Sequence, residues 1–99
     1  MYKIDGSFDC SENNLESLTG APTKVGGSFW CNDNNLKNLT GAPKEVGGSF
    51  SCYSNKLKDL TGAPTEVGGD FYCYGQKNGH KFTEAEVRAV CKVGGSVYV

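Results

Sequence analysis

The chain has 99 residues, a formal net charge of −1, and five Phe, five Tyr and one Trp. So short a chain makes one small domain, residues 1–99, with a modest core. Its basic residues stand singly, without a stripe or cluster, which argues against duplex DNA or RNA as a partner; no apolar run approaches the roughly 20 residues of a membrane helix, so no membrane partner is expected.

From the N-terminus, "MYKIDGSFDC" has neither a basic leader nor an apolar stretch, so no export signal is expected. The five Cys, an odd number, then point to reduced thiols in a cytoplasm rather than to a disulfide scaffold. Ile4-Asp5-Gly6 stands where Val25-Gly26-Gly27 stands later, so the chain enters mid-repeat without a dedicated cap. Three near-copies follow, 6–26, 27–47 and 48–68. Cys10, Cys31, Cys52 and Cys73 keep a step of 21 residues, as do Phe8, Phe29, Phe50 and Phe71, then Leu15, Leu36 and Leu57. A fixed period of this size signals a solenoid, in which each unit buries its apolar face only against its neighbours.

Within each copy Phe-x-Cys alternates as a strand does. Paired glycines before it bend the chain into the strand, and Thr-Gly-Ala-Pro returns it on the opposite side. Every coil runs the same way, so the strands are parallel. The pattern predicts five, over 7–11, 28–32, 49–53, 70–74 and 96–99. The fourth copy, 69–95, diverges after "GDFYCYGQK". Thr83 and Glu86 form a capping box, Phe82 and Val87 a hydrophobic staple, and Val87, Val90 and Cys91 one apolar face. A short capping helix is expected over roughly 84–92. "VGGSVYV" then restarts the repeat. The fold class is a mainly β repeat solenoid with one C-terminal helix.

The run "FxCxxNxL", at Phe8–Leu15, Phe29–Leu36 and Phe50–Leu57, resembles the leucine-rich repeat signature L-x-L-x-x-N-x-L. The Leu and Pro that follow resemble the short bacterial form of that repeat, and the chain is also similar to small Gly-rich repeat proteins predicted in tailed-phage genomes. Phe and Cys in place of Leu at the strand imply a flatter, narrower coil. The resemblance implies that Asn13, Asn34 and Asn55, with Gln76 at the fourth place, face inward and bond the backbone of adjacent coils; a surface turn is the alternative. Cys10, Cys31, Cys52 and Cys73 read as core filler, since free Cys behaves as a small apolar group, and Cys91 likewise. His80, the only His, reads as an exposed loop residue with no nucleophile or orienting group named beside it. No cofactor or metal is expected, and no enzyme.

If Phe and Cys point inward, the residue between them points outward. That column is Asp9, Trp30, Ser51, Tyr72 and Tyr98, and the residues after Cys, Ser11, Asn32, Tyr53 and Tyr74, lie beside it. Core positions repeat because every coil fills the same cross-section. The outward positions are free to vary, and they gather Trp30 and four Tyr. Exposed aromatics on rigid strands mark binding surfaces, so Asp9, Trp30, Tyr53, Tyr72, Tyr74 and Tyr98 are the candidate site for a protein partner; the phage resemblance makes a host protein the expected one. Two other readings stand beside it: rings stacking on a nucleotide or sugar, with few cations to hold phosphates, and a homodimer through the unpaired edges of the terminal strands.

Overall fold

The computed structural model describes residues 2–99, so Met1 of the expected single domain lies outside it. The chain winds as a parallel β-solenoid through two sheets. One sheet holds β1 (Lys3–Ile4), β3 (Lys24–Val25), β5 (Glu45–Val46), β7 (Glu66–Val67) and β9 (Lys92–Val93) in that order. The other holds β2 (Phe8–Asp9), β4 (Phe29–Trp30), β6 (Phe50–Ser51), β8 (Phe71–Tyr72) and β10 (Val97–Tyr98). Phe8 pairs with Phe29, Phe29 with Phe50 and Phe50 with Phe71, so identical side chains stack on themselves.

The sequence pattern predicts five strands; the described residues form ten, each of two residues. The additional sheet runs through the Val column, just ahead of each glycine pair. A two-residue strand is too short to show alternation, which is why the pattern hides it. The expected stretches 28–32 and 49–53 stop where each coil turns at a left-handed residue, Asp33 (φ 58) or Ser54 (φ 53), and within them the strands are Phe29–Trp30 and Phe50–Ser51. Ladder bonds continue to that corner: the N–H groups of Phe29, Cys31 and Asp33 donate to the carbonyls of Ser49, Ser51 and Tyr53 at 2.9, 2.8 and 3.1 Å.

Between the sheets the core is a set of columns. Phe29, Phe50, Cys31, Cys52, Leu36, Leu39 and Leu57 are fully buried. The rings of Phe8, Phe29 and Phe50 lie nearly parallel, 5.5 and 5.6 Å apart. In the first coil Phe8, Cys10 and Leu15 are only partly buried. Coils come so close at the glycine bends that a methyl group on Gly47 would collide with the carbonyl oxygen of Gly26. Glycine there serves backbone approach as well as bending.

The helix α1 (Glu84–Val90) covers the C-terminal end of the core. Its capping box is formed as expected: the Thr83 hydroxyl accepts from the Glu86 N–H at 3.1 Å, and the Glu86 carboxylate accepts from the Thr83 N–H at 2.9 Å. Phe82 and Val87 are buried. Val90 is not: it is 48% exposed, against the expected apolar face. Within the helix Val87 is the buried residue, and the chain leaves the helix at Cys91 (φ −141), which reaches the core from extended backbone. Arg88 ties the helix to the last coil, donating to Glu84 at 2.8 Å and to the carbonyls of Val93 and Gly95 at 3.0 and 2.9 Å. Among the described residues, no helix is long and apolar enough to cross a membrane.

Candidate interaction surface

Parallel register sets Asp9, Trp30, Ser51, Tyr72 and Tyr98 in one outward column. Two pairs of rings stack on this face, Tyr72 on Tyr98 at 4.8 Å and Tyr53 on Tyr74 at 4.9 Å, each within 6° of parallel. Adjacent strands lie about 4.8 Å apart, so each stack follows from the register. Trp30 differs. Its column neighbours are Asp9 and Ser51, no ring stacks on it among the described residues, and it is 38% exposed.

Two outward positions turn out to be covered. Ser51 is 3% exposed, sunk between the larger Trp30 and Tyr72. Asn32 is also buried, and its side-chain amide donates to the Asp33 carboxylate at 2.7 Å. Above Ser51 lies an open dip of about 330 Å³, walled by Trp30, Tyr53, Tyr72 and Tyr74. The structure therefore brings together four of the six expected site residues. Tyr98 extends the stack behind Tyr72, and Asp9 flanks Trp30 on the far side.

The strand columns of this face are acidic, and a cation stands at the margin: the Lys77 ammonium donates to the Asn34 carbonyl, next to Asp33, at 2.8 Å. The columns carry Asp9 and Asp70, the corners carry Glu12 and Asp33, and none of the columns holds Lys or Arg. The Ser11 hydroxyl and N–H, donating at 2.6 and 2.9 Å, hold the Asp9 carboxyl below its usual range, so it stays ionised at neutral pH. The Tyr53 phenol is pushed up, first by burial, then by Tyr74 and the carboxylates of Asp33, Glu12 and Asp9. One supporting column escapes the sequence reading. The side-chain oxygens of Ser7, Ser28, Ser49 and Asp70 accept from the N–H of the next coil at 2.8–3.1 Å. The Gly-Ser before Phe8, Phe29 and Phe50, with Gly-Asp before Phe71, is the signal that marks it.

The inward columns hold the wall in place. The Asn34 amide donates to the carbonyls of Cys10 and Cys31 at 3.0 and 3.1 Å, while its oxygen accepts from the N–H of Asn13 and Leu15. Asn55 and Gln76 repeat the arrangement one and two coils later. Asn13 is exposed, and its amide donates only within its own coil, to Cys10 and Ser11. All five Cys are free thiols. Burial pushes Cys10 and Cys91 up to about 11 and Cys73 to about 12, and raises Cys31 and Cys52 well above the usual range. His80 packs edge-on against Phe82 at 4.5 Å in its loop.

No family model, curated protein or solved structure matches the chain.

Proposed function

We propose that this solenoid is a non-enzymatic, leucine-rich-repeat-like module that grips a protein partner through Trp30, Tyr53, Tyr72, Tyr74 and Tyr98, with Asp9 at the margin. The observation that carries this reading is Trp30. Cross-strand stacking accounts for the four tyrosines as sheet stabilisation. It does not account for an indole standing exposed between an Asp and a Ser. Trp and Tyr are also the side chains that dominate interface hot spots. Similarity to small phage repeat proteins favours a host protein as partner, inhibited or redirected in a reducing cytoplasm. The test is affinity capture from bacterial lysate with wild type beside Trp30→Ala/Tyr72→Ala. A protein retained by wild type alone supports the reading; a folded bait with no Trp30-dependent partner sinks it.

A second reading, self-association, rests on the first coil. Phe8, Cys10 and Leu15 are half-buried where their counterparts in the middle coils are sealed. Stacking a second copy there would complete the burial. A mass that rises with concentration in light scattering supports it, and a constant monomer mass removes it.

A further inference from the structure

Four features of the dip over Ser51 specify its occupant more closely than the interaction reading does, and the inference rests on that reading. The first is spacing. Trp30 and Tyr72 lie on strands two apart, roughly 9–10 Å, with only a serine side chain between them. That is the width of one missing ring in a ladder whose next step, Tyr72 to Tyr98, is 4.8 Å. The second is an unused acceptor. Ser51 lies at the floor, and its hydroxyl, which makes no hydrogen bond among the described residues, is not sealed from the dip. The third is charge: the carboxylates of Asp33, Glu12 and Asp9 act on the Tyr53 wall and Asp70 accepts from the Tyr72 hydroxyl at 3.3 Å, with no cation on the strand columns. The fourth is that the chain cannot fill the slot with a second copy of itself. Its single arginine, Arg88, has its Nε and both terminal nitrogens committed to Glu84, Val93 and Gly95.

We infer that the dip is a slot for one arginine side chain of a protein partner, its guanidinium lying flat between the rings of Trp30 and Tyr72. A guanidinium is planar, stacks on aromatic faces and carries its charge with weak hydration. Its edge supplies N–H donors for the Ser51 hydroxyl, and its charge is attracted by the Asp9 carboxylate on the far side of Trp30. A phenyl ring would fill the width but leave the hydroxyl unpaired and the carboxylates unanswered. A nucleotide would bring phosphates to a face whose strand columns hold carboxylates and no cation. A lysine would bring charge without a face.

The other depression of note lies on the opposite sheet, about 240 Å³ between Lys24, Glu45, Glu66 and Lys92. Its charges cancel, with Lys24 and Glu45 already 3.7 Å apart, and it nominates no ligand.

The test uses the protein's only tryptophan as its own reporter. Acetyl-Gly-Arg-Gly-amide is titrated against Trp30 fluorescence and by NMR, beside the Lys and Phe peptides and AMP. The Arg peptide is expected to bind at least ~10-fold tighter than the others. Ser51→Tyr, which completes the ring ladder, is expected to keep the fold and abolish binding. Asp9→Asn is expected to keep the fold and weaken binding several-fold. Equal or tighter binding of the Phe peptide or AMP overturns the inference, as does Arg binding that Ser51→Tyr leaves unchanged. Failure of every probe, while wild type still captures a protein through Trp30, overturns the arginine slot and leaves the interaction reading standing. Capture that ignores Trp30 brings down both.

Discussion

The side-chain amide of Asn55 donates to the carbonyl of Cys31, 24 residues earlier, at 3.0 Å, and to that of its own coil's Cys52 at 3.1 Å. One amide thus closes two coils, and its oxygen accepts from the Leu36 N–H at 3.1 Å. Asn55→Ala strands these groups in a fully buried site. Each buried group left without a partner costs about 1–3 kcal/mol, so a loss of at least about 3 kcal/mol is expected in urea unfolding. Asn13→Ala, exposed and bonded only within its coil, is expected to cost less than about 1 kcal/mol. Equal losses at the two sites would show that the buried amide is not what joins the coils.

Glycine at the bend is required by close backbone approach. Gly47→Ala drives a methyl group into the Gly26 carbonyl, with only backbone there to yield. Overpacking of this kind costs about 1–3 kcal/mol. Gly6→Ala is the control, since an added methyl there meets nothing within 4 Å, and its melting temperature is expected to stay near that of wild type.

Stability and recognition separate on the strand face. Trp30→Ala is expected to change unfolding free energy by no more than about 0.5 kcal/mol, as for other surface positions, while removing partner binding. Tyr72→Ala also loses the stack on Tyr98, worth roughly 0.2–1 kcal/mol. If thermal melting ranks Trp30 above Tyr72 in cost, the indole is a packing residue and the recognition reading fails.

The thiols give the fold an alkaline limit. A group whose folded pKa is raised contributes stability that is complete below its unfolded value and is lost as pH rises through the folded one. For these cysteines the window opens near 9.0 and runs to about 11 for Cys10 and Cys91 and about 12 for Cys73. Melting temperature is therefore expected to show no thiol-linked loss up to about pH 9 and to fall above it. Native protein should react slowly with iodoacetamide, Cys10 first, because it is the least covered of its column. Rapid labelling of Cys52 in folded protein would contradict the packing described.

Much of this architecture was legible in the residues, because a solenoid core must repeat what it buries. The Phe and Cys columns, the inward Asn34 and Asn55 and the parallel strands stand where the 21-residue period sets them, and the capping box stands where the local Thr83–Glu86 spacing sets it. The Val-centred sheet was hidden, since Lys24–Val25 or Glu45–Val46 is two residues long and offers no alternation to count. Val90 was misread because, although it lies within the helix three residues after the buried Val87, the helix rests on the core through Val87 alone and Cys91 reaches the core from beyond its end. The depth of Ser51 was invisible for a different reason. Its burial is set by the size of Trp30 and Tyr72, neighbours 21 residues away on either side, and not by anything in its own segment.

Because every coil meets the next through the same glycine bend and the same amide, whole copies are interchangeable parts. Excising residues 48–68 joins like to like at both cut ends, yet it moves Trp30 directly beside Tyr72 and shuts the slot. Duplicating them holds the two rings one strand further apart. Variation by unequal exchange of repeats would thus alter the gauge of the recognition face in whole-strand steps while leaving each coil's interior untouched.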